Sequence, residues 1–146
     1  MKFRTINCIK HESLNQLKTD LHQKNYCLFE LNGEEIQNAE SLFQQIAGSF
    51  PQDPPLSGNC NWDALADSLF GGLDQLGETR VAFIWTHADN MLHSGLDDLL
   101  TAVICFDQIA SLVATTEAGL SEPVKLLVFL VGKGANFKAF ESISDV

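Results

Sequence analysis

Asp63 and Asp67 stand four residues apart in the stretch Gly58-Asn59-Cys60-Asn61-Trp62-Asp63-Ala64-Leu65-Ala66-Asp67-Ser68-Leu69. On a helix that spacing stacks two carboxylates one turn apart, while Trp62, Leu65 and Leu69 share an apolar face. Asn61 is a good N-cap, because its side-chain oxygen can accept from a free first-turn amide. Asp63 then falls in the first turn, where the helix dipole favours an anion. Gly71-Gly72 is expected to end this helix. Stacked like charges repel by roughly a few tenths of a kcal/mol, and a cationic partner gives that cost a reason. Acid–base catalysis by the same pair is a poor fit. Glycosidase carboxylates flank a bond from opposite sides of a cleft, which two acids on one convex stripe do not do. The ordinary alternative is a solvated acidic stripe, since exposed surface is where acids belong.

Other reactive side chains have weaker patterns. His87, Asp89 and His93 follow an apolar segment, and the C-terminal ends of parallel strands are common ligand sites. Their spacing matches no named metal signature, so no metal and no cofactor is expected. Cys60, near a helix start, would favour its thiolate, but a Cys–His hydrolase needs His87 or His93 to reach it. Gly132-Lys133-Gly134 lacks the rest of a phosphate loop. Catalytic residues are therefore not assigned.

The elements that position the acids follow from periodicity. Leu14, Leu17 and Leu21 predict a helix over 12–24. Residues 26–31 read as a strand closed by Asn32-Gly33, and residues 38–48 as an amphipathic helix carrying Leu42, Phe43 and Ile46. Pro51, Pro54 and Pro55 make 49–58 a non-repetitive loop that leads to the acidic helix. Residues 80–85 are a nearly all-apolar strand, as expected of one covered on both faces. Ser94 with Asp97 resembles a capping box, opening a long helix that ends before Gly119. Residues 124–131 form the last strand, of strand rather than membrane-spanning length. Trp62 and Trp85 both fall on buried faces. The expected class is α/β: a small three-stranded parallel sheet packed with helices, with an extra N-terminal helix and a C-terminal tail. One domain spans 1–146, with 1–25 a helical lead-in and 132–146 a tail that carries a short helix around Phe137 and Phe140.

Nine Lys and Arg against 19 Asp and Glu give a net charge of −10 over 146 residues. That balance repels nucleic acid and attracts basic partners. The start of the chain has no secretory h-region, and no apolar run is long enough to span a membrane. Cys8, Cys27, Cys60 and Cys105 show no paired spacing and read as free thiols of a reducing cytoplasm.

The stretch Asn61-Trp62-Asp63-Ala64-Leu65, preceded by Gly58 and followed by Asp67 and Leu69, resembles the central motif of the barstar family of ribonuclease inhibitors. The strand ending Phe83-Ile84-Trp85 and the opening Leu31-Asn32-Gly33-Glu34-Glu35-Ile36 are similar to that family too. The resemblance covers about 27–131. It implies a barstar-like fold and a non-enzymatic protein whose acidic helix and preceding loop plug the active site of a basic ribonuclease. It implies that Asp67 mimics the scissile phosphate, that Asp63 is the neighbouring interface acid, and that Asn61 holds the loop–helix junction. It further implies that Gly58 lets the loop approach closely, and it places Asn59, Cys60, Ala66 and Phe70 at the nuclease-binding surface. The long helix should add a partner-facing acid, for which Asp107 is a candidate. The chain departs from the family pattern in three places. Two residues rather than one separate Gly58 from Asn61, Ala66 stands where a large aromatic can occur, and Leu56-Ser57 replaces paired tyrosines. The expected partner is thus a basic ribonuclease, bound by a monomer, as an antidote to the cell's own enzyme or as immunity to a foreign one. A barstar-fold module for another basic protein is the alternative.

Overall fold

The structure is a computed structural model, and it describes residues 5–137. Four strands, β1 (Ile6–Lys10), β2 (Cys27–Asn32), β3 (Arg80–Thr86) and β4 (Lys125–Gly132), form one sheet in the order β1-β4-β3-β2. All neighbours are parallel, with Ile6 beside Val128, Phe29 beside Phe83 and Phe83 beside Val128. The class is α/β with a parallel sheet, as expected, but the sheet has four strands and not three. The fourth, β1, lies in what read as a helical lead-in. It is a five-residue edge strand interrupted by Asn7, so its apolar run is too short to stand out. Edge strands pair on one side only and carry a weaker hydrophobic signature than central ones.

Helix α1 (Leu14–Gln23) covers one face of the sheet. Its Leu21 packs with Tyr26, Ala82, Ile84, Phe129 and Val131. The opposite face carries α2 (Ala39–Ser49), α3 (Trp62–Leu76) and α5 (Leu96–Val113), whose apolar sides bury Phe83, Trp85, Val128 and Leu130. Phe50 stacks on Phe83 with ring centroids 4.1 Å apart, and Phe106 meets Phe83 edge-on at 6.0 Å. Fully burying one such side chain contributes about 1.5–3 kcal/mol, so this aromatic group is a principal anchor between sheet and helices. No helix among the described residues is long and apolar enough to cross a membrane.

Local chemistry sets the helix ends. Asn38 caps α2 in a reciprocal box with Ser41. A short α4 (Met91–Ser94) precedes the long helix α5, with Gly95 between them. Ser94 does not form the expected cap. Its hydroxyl donates to the carbonyls of Asn90 and Gln37, and Asp98 accepts from the Ala39 amide at 2.8 Å. Helix α5 ends at Val113, before Gly119 as expected. Phe137 is buried at the end of the described chain, and the expected helical turn at Phe140 lies outside the described residues.

Candidate functional site

Helix α3 is fixed at its start by Asn61, which is extended at φ −110° and accepts from the Ala64 amide at 3.1 Å. This is the N-cap expected from the sequence. The helix does not stop at Gly71-Gly72. It continues to Leu76 and ends at Gly77, whose φ of +74° is the left-handed conformation that glycine adopts freely. Gly71 and Gly72 serve another purpose. A Cβ on either would overlap the carbonyl of Asp53 or of Pro51, so their bareness lets the proline loop lie directly on the helix.

That loop is tied down along its length. The Gln52 amide donates to the carbonyls of Ile46, Ala47 and Phe50 and so closes the end of α2, while its oxygen accepts from the Leu56 amide. The Asp53 amide donates to the Ser68 carbonyl at 2.9 Å, and the Ser68 hydroxyl donates to the Pro54 carbonyl at 2.6 Å. Gln75 donates to the Asp53 carboxylate at 2.7 Å. Beyond Leu56 the chain turns outward through Gly58, at φ +93°, and Asn59, Cys60 and Asn61 are exposed.

With the helix held this way, Leu65, Ser68, Leu69, Gly72 and Leu73 face inward. Asp63 and Asp67 are exposed on the outward side, as the periodicity required. Asp74 is exposed too, and seven residues after Asp67 it returns to nearly the same angular position. The stripe therefore carries three acids. Asp74 was missed because the helix was expected to end at Gly71-Gly72. Ala66 and Phe70 flank the stripe, both half-buried. Trp62 is half-buried rather than fully enclosed, with its ring edge-on to Phe43 at 5.0 Å, whereas Trp85 is fully enclosed. Among the described residues the ion pairs are Lys18–Glu30 and His87–Glu34, and neither engages an acid of α3.

The stripe's field is felt across the groove to α5. The buried Cys105 thiol is pushed up to about 11, first by loss of solvent and then by the negative charge of Asp63. Cys105 thus marks the flank of α5 that faces α3. Asp107, two residues on, is turned away by about 200° at a helical turn of about 100° per residue. Its carboxylate accepts from the Thr5 hydroxyl at 3.0 Å, beside β1. Around Cys105 the exposed residues of α5 include Thr101, Gln108 and Leu112, and its other acids, Asp97 and Asp98, lie in the first turn.

The remaining reactive side chains do not converge. His87 lies 3.8 Å from Glu34 and its ring 5.4 Å from that of His11. Asp89 accepts from the Lys133 amide, and His93 meets Asn136 at 3.1 Å. No cluster of three His, Cys, Asp or Glu side chains that could hold a metal occurs among the described residues. Cys60 is an exposed free thiol, and among the described residues no hydrogen bond joins it to a histidine. The acids stand on a ridge, not in a cleft.

Comparison with curated proteins and with solved structures returned no match. Residues 26–130, from just before β2 to within β4, match the family model described as Barstar (barnase inhibitor). That span takes in the whole of α3 and its anchoring loop, and covers well over half of the chain. The chain belongs to the barstar family.

Proposed function

We propose that this protein binds and blocks the active site of a basic ribonuclease, with α3 as a mimic of the substrate's phosphates. The observation that carries the reading is the outward stripe of Asp63, Asp67 and Asp74 on a helix fixed by the Asn61 cap and the Ser68–Pro54 bond, with no described cation paired to it. A ribonuclease cleft must present Arg, Lys and His to a phosphodiester, and a rigid row of carboxylates satisfies the same donors without offering a bond to cleave. Asp67 is the leading residue, and Asp63 and Asp74 extend the row on either side. Gly58, Asn59, Cys60 and Asn61 form the loop edge of the contact, and Ala66 and Phe70 its apolar flank. Because α3 is ordered before the encounter, little entropy is lost at that helix on binding. The net charge of −10 steers a basic partner inward. The protein acts by binding, not by catalysis, and as a monomer. The free thiols of Cys27, Cys60 and Cys105 suit a reducing cytoplasm.

The altered Gly58–Asn61 spacing and the small side chain of Ala66 favour a second reading within the same chemistry, in which the basic partner is not a ribonuclease. Titration of the purified protein into barnase, read as loss of RNA cleavage, separates the two. Stoichiometric inhibition supports the ribonuclease reading. Full cleavage at high excess of the protein contradicts it.

A further inference from the structure

Away from α3, three chemically active side chains stand at the carboxyl end of the parallel sheet. His11 directly follows β1, His87 directly follows β3, and Glu34 lies just past β2. Ligands of open α/β sheets collect at that end, where neighbouring connections depart to opposite faces. Here β1 leads to α1 on one face and β3 leads to α5 on the other, with β4 between the two strands. The rings of His11 and His87 face each other there, with centroids 5.4 Å apart.

His87 is held in an unusual conformation. Its φ of +51° is left-handed, a strained region for a non-glycine residue that clusters at ligand sites. Its carbonyl accepts from the Asn90 amide at 3.0 Å. Gly33 lies so close to the Thr86 and His87 carbonyls that a Cβ there would overlap them. The two ring nitrogens have different surroundings. Nε2 lies 3.8 Å from Glu34 Oε1, and the carboxylate's charge favours the tautomer with its proton on that nitrogen. Nδ1 then presents a lone pair. It is buried and has no hydrogen-bond partner among the described residues. A buried polar atom left in that state points to an ion or a water that satisfies it.

We propose that His11 and His87 together bind one divalent late first-row transition-metal ion, which clasps the β1–α1 unit to the rest of the fold. Metal–nitrogen bonds of about 2.0–2.1 Å at a tetrahedral ion hold two imidazole centroids about 5 Å apart, close to the spacing of these rings. Nδ1 of His87 is the ligating nitrogen, and Glu34 on the other side of the ring supplies the carboxylate that orients a metal-bound histidine. No third donor joins the pair among the described residues, so water completes the coordination. Imidazole ligands suit zinc, nickel and copper. His11 is exposed, which lets its ring turn toward the ion. It also precedes the span 26–130 that matches the family model, so the site depends on an element that this chain adds to the family core.

Isothermal titration of the full chain with nickel(II) chloride tests the proposal. Nickel takes imidazole ligands and does not oxidise the exposed Cys60 thiol. The wild type is expected to bind one ion per chain. His11→Gln changes an exposed side chain, and His87→Asn keeps a residue that tolerates the left-handed backbone. Each is expected to weaken binding at least about tenfold, and Glu34→Gln about tenfold. Cys60→Ser is expected to bind as wild type does. Nickel should raise the thermal midpoint of wild type and not that of His11→Gln. Wild-type heats equal to those of buffer overturn the proposal and leave water as the occupant at Nδ1. Equal affinity of wild type and His11→Gln overturns it as well, because the ion is then held elsewhere. Either result leaves the ribonuclease reading untouched.

Discussion

The Ser68 hydroxyl donates to the Pro54 carbonyl at 2.6 Å, across fourteen residues of sequence, and so fastens the proline loop to the inward side of α3. Ser68 is buried and follows Asp67 directly. The residue that holds the loop and the residue that leads the acidic stripe are chain neighbours facing opposite ways. Replacing Ser68 by Ala leaves the Pro54 carbonyl without this partner. The expected loss is about 1–3 kcal/mol, read as a lower urea midpoint at unchanged m-value. An unchanged midpoint means that the loop is held by its other bonds alone.

Gly71 and Gly72 invite a prediction of unusual sign. In an exposed helix interior, Gly→Ala stabilises by about 1 kcal/mol. Here a Cβ would meet the backbone of Asp53 or Pro51. Gly72→Ala should therefore destabilise, by about 1–3 kcal/mol for forced repacking. A rise in thermal midpoint would show that the loop does not rest on the helix as described.

The Cys105 thiol, held up at about 11 against an ordinary 9.0, makes stability fall in alkaline solution. Between those values the unfolded chain loses the thiol proton first, so unfolding becomes easier as pH rises. The contribution is fully present below pH 9 and is lost progressively toward pH 11, amounting to roughly 2–3 kcal/mol. Urea melts at pH 8 and pH 10.5 should show a larger decrease for wild type than for Cys105→Ala. Asp63→Asn should lower the thiol's titration point by removing the nearby negative charge. Equal pH dependence of wild type and Cys105→Ala would rule out this account of the thiol.

Association with a basic ribonuclease should slow steeply with salt, because screening shortens the reach of the acidic surface to about 10 Å at 0.1 M ionic strength. The dissociation rate should change far less. Stopped-flow mixing with barnase at several salt concentrations checks this, and a flat association rate would exclude charge steering.

Much of this architecture is written in local patterns. The central strands read correctly because Phe83, Ile84, Trp85 and their neighbours in β4 are continuously apolar. The Asn61 cap and the Asp63/Asp67 stripe read correctly because both are set within a single helical turn. Long-range relationships were the ones that failed. Gly71-Gly72 looks like a terminus until the proline loop is seen lying against it, and that error hid Asp74. Strand β1 is recognisable only by its pairing with β4. Asp107 looked available for a partner because nothing in its own helix shows that Thr5 accompanies it.

The central claim is that Asp67 leads the contact with a ribonuclease. Isothermal titration of barnase with wild type and with Asp67→Ala tests it most directly, alongside thermal melts of both proteins. A hot spot at Asp67 predicts a loss of about 2 kcal/mol or more, which is about 30-fold or more in Kd, with a thermal midpoint close to wild type. Wild-type affinity in the Asp67→Ala protein would contradict the claim.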